Sequence, residues 1–226
     1  MMKMKRKIMA IWMVLILVAI PFSIAQASES QENETISVEI GNVNEEGKLV
    51  TETFFLSEEQ LAELETILLA ITQKIEYANS WEEIEYIIQN IPIKNGIIGT
   101  ILSKIISIIT SSISKITSKF RLFFDRSLIV SCGHSYKLNP FKNSELFRIR
   151  KKFVFWHYSN KGNIKDRTII FKLNGFKLRT LHGRQFGFMR NFFGLYIYIA
   201  RRIPRKSTTF FMGTARRINV IQLSPS

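Results

Sequence analysis

The sequence predicts an α+β protein in which an N-terminal β-hairpin and helices precede a C-terminal antiparallel β sandwich or partly closed barrel. Three observations support this fold class. Apolar residues recur at three- and four-residue steps between residues 57 and 120, and short β-branched and aromatic runs separated by turn residues fill residues 121–226. Strands and helices do not alternate along the chain, so a doubly wound parallel sheet is not expected.

The first residues have the pattern of a secretory signal peptide. Cationic residues over Lys3–Lys7 precede the apolar run IMAIWMVLILVAI, and small residues at Ala25 and Ala27 fit cleavage after Ala27. The apolar run is shorter than the ~20 residues that a bilayer-spanning helix needs, which favours cleavage over an uncleaved anchor. We therefore expect a secreted or extracytoplasmic protein, or a membrane-anchored one if the segment is retained. Asn33 begins an N-glycosylation sequon.

Charge divides the rest of the chain into an acidic part and a basic part. Residues 28–117 hold fifteen acidic residues against five lysines, a net charge of −10. Residues 118–226 hold 23 lysines and arginines against three acidic residues, a net charge of +20. Such asymmetry reports a binding preference or an intramolecular contact rather than a fold. The expected segments are a signal peptide over 1–27, an acidic hairpin with a helical pair over 28–95, an amphipathic helix or linker over 96–120, and a basic antiparallel β domain over 121–226.

The acidic part is expected to fold as a hairpin followed by two helices. The alternation in TISVEI and in KLVTETFFL, with GNVNEEG between them, predicts two strands joined by a loose loop. Ser57 in S-E-E-Q can form a capping box, and the apolar residues from Leu61 onward line one face of a five-turn helix. Ser80 in S-W-E-E begins a second, shorter helix through Gln89, which Pro92 ends.

A third helix is predicted over GIIGTILSKIISIITSSISKITSKF, where isoleucines and leucine occupy about half of the helical wheel. Polar residues recur too often for a membrane span. The apolar face either packs on the neighbouring helices or sheet, or lies on a lipid surface with Lys104, Lys115 and Lys119 toward the headgroups. Serine and threonine fill the polar face where interfacial helices carry more cations, so packing is favoured.

The basic part is predicted to form a series of antiparallel strands. Asn174-Gly175 between TIIFKL and FKLRTL is a strong signal for a two-residue hairpin turn. Glycines 187, 194 and 213 lie inside aromatic strands, where glycine commonly marks a bulge or a bend. The predicted strands are SLIVSC, FRIRKKFVFWHY, TIIFKL, FKLRTL, QFGFM, LYIYIARRI, TTFFMGTAR and INVIQL.

The stretch SCGHS contains the only cysteine of the chain, Cys132, two residues before His134. A thiol–histidine pair would make the protein an exported hydrolase, which is the alternative function. The cationic surroundings are expected to lower the thiol pKa, in favour of that function. However, alternate residues of a strand lie ~7 Å apart and no carboxylate is near in sequence. A small buried residue that ends a strand before a Gly-His turn is therefore favoured.

A metal site is a second candidate for the same region. The three histidines of the chain, His134, His157 and His182, all lie in the basic part and would complete a four-ligand set with Cys132. Their spacings match no common ligand pattern, and a charge of +20 disfavours a divalent cation. No metal and no other cofactor is therefore expected.

The sequence contains no hydrolase elbow, zinc-protease motif, P-loop or dinucleotide fingerprint, so a non-enzymatic binding or structural role is favoured. The expected partner is an anionic cell surface, lipid, polymer or acidic protein, with peripheral membrane contact; export argues against nucleic acid. The alternative is neutralisation by the acidic part of the same chain. The oligomeric state is not predicted. The candidate anion-binding residues are Arg148, Arg150, Lys151, Lys152, Arg201, Arg202, Arg205, Lys206, Arg216 and Arg217.

Overall fold

The computed structural model describes one compact unit that begins at Thr35. The predicted signal peptide and the sequon asparagine, Asn33, lie outside the described residues. So do four of the candidate anion-binding cations, which are Arg148, Arg150, Lys151 and Lys152. The described residues are 35–44, 46, 48–93, 95–118, 126–135, 140–141, 153–159, 166–172, 178–202 and 205–223.

The hairpin and the helices predicted for the acidic part are present. Ser57 and Gln60 form the expected capping box, in which the Gln60 amide donates to Ser57 Oγ at 3.3 Å and the Ser57 amide donates to Gln60 Oε1 at 3.0 Å. The Glu83 amide donates to Ser80 Oγ at 3.1 Å, which caps the second helix. The elements are β1 (Ile36–Val43), β2 (Leu49–Leu56), α1 (Glu58–Glu76), α2 (Trp81–Gln89) and α3 (Gly96–Ser118).

Six strands are described in the basic part, and three of them extend well beyond the predicted runs. The runs QFGFM and LYIYIARRI form one strand, as do TTFFMGTAR and INVIQL, because each pair continues through an irregularity instead of ending there. The strand that contains Cys132 also continues through His134, where a turn was predicted, since β8 pairs with it as far as Ser135. These strands are β3 (Arg126–Ser135), β4 (Phe153–Tyr158), β5 (Arg167–Lys172), β6 (Leu178–His182), β7 (Gln185–Ile199) and β8 (Ser207–Gln222).

All eight described strands belong to one antiparallel sheet in the order β2-β1-β7-β8-β3-β5-β6, with β4 on β7. The N-terminal half of β7 pairs with β4 and its C-terminal half with β1, while β8 pairs along the opposite edge. The α+β class is therefore confirmed. The sandwich or partly closed barrel is replaced by an open sheet that also includes the N-terminal hairpin.

The sheet folds back on itself, which explains why its sequence resembles that of a sandwich. Trp156 pairs with Gly187 and Phe211 pairs with Tyr196, so the two pairs are nine residues apart along β7. A straight strand would separate them by ~30 Å. The rings of Trp156 and Phe211 are nevertheless 5.2 Å apart. The ladder between β7 and β8 must therefore bend, and its register shifts on both sides of Arg190 mark the place.

Each face of the sheet has its own apolar core. On one face, the helices pack against sheet residues that include Val130, Cys132 and Leu195. On the other face, the fold-back encloses Trp156 and Phe211. The packing predicted for α3 is confirmed for its described side chains, which are at most 4% exposed at Ile98, Ile101, Leu102, Ile105 and Ile109.

Of the three cations of α3 predicted to face lipid, only Lys104 has a described side chain. Lys104 pairs with Glu52 of β2, whereas the side chains of Lys115 and Lys119 lie outside the described residues. No helix in the described part of the chain is both long enough and apolar enough to cross a bilayer.

Close backbone approach explains two of the strand glycines. Gly194 lies opposite Gly213 in the ladder, and the irregularities lie between the glycines of β7 rather than at them. A Cβ atom on Gly213 would be 2.2 Å from the carbonyl oxygen of Phe193 and 2.8 Å from the Cα atom of Gly194. Gly194 has φ +145°, which side-chain-bearing residues rarely adopt.

We expect Gly213→Ala to lower the free energy of unfolding by about 2 kcal/mol, because the added methyl group forces apart the two longest strands. Urea denaturation of the two proteins measures the difference. Asn219→Ala on the exposed side of the same strand is the control and should change stability by less than ~0.5 kcal/mol. Equal stability of the two variants would show that the Gly194–Gly213 contact does not constrain the ladder.

Candidate functional site

Cys132 lies inside the core between the sheet and the helices and is 1% exposed. Burial raises the pKa of its thiol, and the charges of Asp166 and Glu65 add to this effect while that of Arg167 opposes it. The expected lowering of the thiol pKa is therefore wrong. A nucleophilic cysteine needs an accessible thiolate, and this environment favours the neutral, enclosed thiol.

His134 is held by a carboxylate that the sequence analysis did not assign to it. Its Nδ1 atom lies 2.6 Å from Oδ1 of Asp166, and its backbone amide donates to the same oxygen at 3.1 Å. Asp166 is fully buried and directly precedes Arg167, the strand partner of Cys132. Only the β3–β5 register brings residues 134 and 166 together. The contact orients the imidazole toward Asp166 instead of toward the thiol of Cys132.

A second histidine–carboxylate contact joins β6 to α1. His182 Nε2 lies 3.0 Å from Glu76 Oε1, and Arg167 Nη1 lies 2.7 Å from Glu76 Oε2. The side chains of Arg167 and Glu76 are 7% and 14% exposed. Because both charges are largely removed from water, each depends on the other for compensation.

The histidines do not form a metal site with Cys132 in the described part of the chain. No group of three or more histidine, cysteine, aspartate or glutamate side chains there could hold a metal ion. His134 and His182 contact different carboxylates. His157 lies on β4, where burial lowers its pKa and the positive charges of Arg184 and Lys206 lower it further.

The cationic turn between β7 and β8 faces the acidic side of α1. Arg201 lies 2.8 Å from Glu65 and 3.5 Å from Glu58, and Arg205 pairs with Glu58. Thr208 donates a hydrogen bond to the second oxygen of Glu65 at 2.6 Å. Two of the cations predicted to bind an external anion are thus neutralised, at least in part, by the acidic part of the chain. Of their neighbours, Arg202 is exposed and Lys206 is half-buried.

Arginines also converge at the bend of the sheet, in a concavity of about 470 Å³ that we call the arginine pocket. Its described lining residues are Arg190, Asn191, Arg216 and Arg217, none of which is acidic. Asn191 has φ 52° and Arg217 has φ 48°, a left-handed conformation that is uncommon for residues other than glycine. The backbone strain thus lies at the site where cationic side chains gather, as is frequent at functional sites.

Neighbouring strands and aromatic rings hold these arginines in place. Arg216 of β8 is the strand partner of Arg190 on one side and of Arg126 on the other. The guanidinium of Arg190 lies 4.4 Å from the ring centroid of Phe153, and that of Arg126 lies 4.8 Å from the ring centroid of Phe193. Such stacking leaves the edge of a guanidinium available for hydrogen bonds while fixing its plane.

The sequence analysis found half of the pocket. Arg216 and Arg217 are candidates from their position after TTFFMGTA, whereas Arg190 and Asn191 lie between the predicted strands QFGFM and LYIYIARRI and are not among the candidates. An adjacent Arg-Asn pair between two aromatic runs is the signal that could have indicated a bulge within one continuous strand.

No protein-family model matches the chain, and the searches of curated proteins and of solved structures also give no match.

We expect Glu76→Ala to lower the free energy of unfolding by about 3 kcal/mol, because it leaves the buried guanidinium of Arg167 without its carboxylate. Urea denaturation near neutral pH measures the loss. Glu59→Ala removes the same charge from an exposed position of α1 and should cost less than ~1 kcal/mol. A Glu76 variant as stable as the Glu59 variant would show that the contact with Arg167 contributes little to stability.

We expect the stability of the protein to fall above pH ~8.5, where an unfolded chain ionises its thiol and the folded chain keeps Cys132 protonated. The unfolded state then binds fewer protons, so this group lowers the free energy of unfolding by up to ~1.4 kcal/mol per pH unit. Urea denaturation between pH 7.5 and 9.5, a range of ~2 units around the ordinary thiol pKa, measures the slope.

Cys132→Ala is the control and should have a shallower slope over the same range. Iodoacetamide should label native Cys132 only as fast as the protein opens, so the labelling rate should rise steeply with urea. Rapid labelling that does not depend on urea would instead identify an accessible thiolate and support the hydrolase alternative.

Proposed function

We propose that this protein is a non-enzymatic binding protein that engages an anionic surface, lipid or polymer outside the cytoplasm through the arginine pocket. The observation that carries the proposal is the convergence of Arg190, Arg216 and Arg217 from two strands on one concavity. The groups that fit it are phosphate, sulfate and carboxylate, whose oxygens match the paired N–H donors of a guanidinium.

The pocket is suited to this role because its donors are held before any ligand arrives. The register shifts around Arg190 and the left-handed backbone of Asn191 and Arg217 set the directions of neighbouring side chains. Stacking on Phe153 further restricts Arg190. Less side-chain entropy is then lost on binding than with freely rotating surface cations.

The turn between β7 and β8 is the weaker candidate for the anion site, because carboxylates of the same chain already contact its arginines. Arg201 and Arg205 contact carboxylates of α1, and Arg167 contacts Glu76. An external anion at the turn would have to compete with Glu58 and Glu65.

The proposed setting is consistent with the sequence. A secreted or extracytoplasmic chain meets anionic lipid headgroups and acidic envelope polymers rather than nucleic acid. The +20 charge of the basic part would attract such partners from within a Debye length of ~8 Å at physiological salt, and the arginine pocket would supply the directed contacts.

We expect the double substitution Arg216→Gln and Arg217→Gln to weaken binding to dextran sulfate and to vesicles rich in acidic lipid about thirtyfold, since each basic residue near an anionic surface contributes ~1 kcal/mol and ~1.4 kcal/mol corresponds to a factor of ten. Column retention on immobilised dextran sulfate and vesicle sedimentation measure the loss, and circular dichroism checks the fold.

The matched control carries Lys74→Gln and Arg205→Gln, which removes two positive charges from exposed positions of α1 and of the β7–β8 turn. It should retain most of the binding. If both double variants lose binding equally, net charge alone drives attraction and the arginine pocket is not a site. If the wild-type protein binds neither probe even at low salt, the proposed function is wrong.

A further inference from the structure

An aromatic surface on the outside of the fold-back is formed by residues of β4 and of the N-terminal half of β7. Its residues, Phe153, Phe155, Phe186 and Phe188, belong to neither apolar core. Its ring centroids are 6.3 Å apart for Phe153 and Phe155, 6.0 Å for Phe155 and Phe188, and 6.4 Å for Phe155 and Phe186. We call these four phenylalanines the aromatic ladder. They alternate with Trp156 and other residues that point into the enclosed core, so strand geometry places the ladder on the opposite face.

Two of the four phenylalanines of the aromatic ladder are exposed to solvent. Phe155 and Phe186 are 38% and 41% exposed, and Ile221, the strand partner of Phe186, is 62% exposed. Single exposed apolar residues are ordinary, but a contiguous group on one sheet face commonly marks a contact surface.

The ladder is continuous with the arginine pocket. Arg190 follows Phe186 and Phe188 at alternate positions of β7, and its guanidinium lies 4.4 Å from the ring centroid of Phe153. One surface therefore combines protruding aromatic side chains with cations at its border. This pairing complements a membrane interface, where acyl chains lie directly beneath anionic headgroups.

We infer that this surface docks on a bilayer that contains anionic lipid. Phe155, Phe186 and Ile221 enter the boundary between headgroups and acyl chains, and the arginine pocket binds lipid phosphate. The inference rests on the proposed function, since it names the source of the anion. It assigns membrane contact to the aromatic ladder, whereas the described apolar side chains of α3 are in the core.

The size of the surface favours a bilayer over a protein partner. Three exposed apolar side chains cover roughly a few hundred Å², less than the ~800 Å² that each partner usually buries in a stable protein interface. Peripheral membrane contact needs only a few inserted side chains when cations add electrostatic attraction.

The first experiment compares two variants in sedimentation with phosphatidylcholine vesicles that do or do not contain phosphatidylglycerol. The ladder variant carries Phe155→Ser and Phe186→Ser. The control carries Val50→Ser and Phe55→Ser, at positions of β2 that are 62% and 61% exposed. The protein is purified from a host that secretes it, so that a retained signal peptide does not contribute to vesicle binding.

We expect the ladder variant to bind the anionic vesicles about tenfold more weakly than the wild-type protein, and the control to bind as the wild type does. At ~1 M salt, where the Debye length is ~3 Å, the wild type should keep part of its binding and the ladder variant should keep none. Retention on dextran sulfate should be unchanged in the ladder variant. Loss of that retention would overturn the assignment of the ladder to lipid.

A fluorescent probe provides a second measurement that does not depend on the stability of the double variant. Phe186→Cys introduces a labelling site while the native Cys132 is 1% exposed and therefore protected. A polarity-sensitive dye at residue 186 should shift to shorter emission wavelength on anionic vesicles, and the same dye at a Phe55→Cys site should not. Unchanged emission at residue 186 in the vesicle-bound protein would overturn the inference.

The outcomes separate this inference from the function on which it rests. If the arginine variant loses binding but the ladder variant does not, the pocket binds an anion and the ladder does not insert. If neither variant differs from the wild type, both proposals fail. A wild-type dimer that becomes monomeric in the ladder variant would identify a second copy of the chain as the occupant and would also overturn the lipid assignment.

Discussion

The pairing of β7 with β8 is the constraint on which the rest of the sheet depends. β7 pairs with β4 and β1, end to end, along one edge, and β8 joins it to β3, β5 and β6 along the other. This requires the two backbones to approach closely at Gly194 and Gly213, where a Cβ atom would overlap its neighbours. It also requires a bend beside Arg190, because Trp156 and Phe211 meet across the fold-back.

The same geometry places carboxylates of α1 beside some of the arginines. Helix α1 lies over one face of the sheet, and its carboxylates contact arginines that point to that face, as Glu65 does with Arg201 and Glu76 with Arg167. The arginines at the bend belong to a different environment. There the register shifts bring arginine side chains of adjacent strands close together. Their N–H groups are the hydrogen-bond donors of the proposed anion site.

Folding back has a further consequence for the outer surface. The inner side chains of β4, including Trp156, are buried in the enclosed core, so the alternating residues must face outward. In a protein that had only to be soluble, polar residues would be favoured at these positions. Here two of the three such positions on β4 are phenylalanines, Phe153 and Phe155, and Phe153 lies against Arg190. The proposed bilayer contact gives this combination one physical explanation, since apolar insertion and headgroup binding act over the same short distance.

The sequence by itself determined the local elements, because their signals lie within a few residues of one another. Ser57 and Gln60 specify a helix start, and the spacing from Ile98 to Ile109 specifies a buried helix face. Only the tertiary structure decided the strand order, the joining of predicted strands, the contact of His134 with Asp166, and the meeting of Arg190 with Arg216. Each depends on strand register between segments distant in sequence, and register follows from packing of the whole sheet. For the same reason the total charge could be read from the chain, whereas which charges neutralise one another could not.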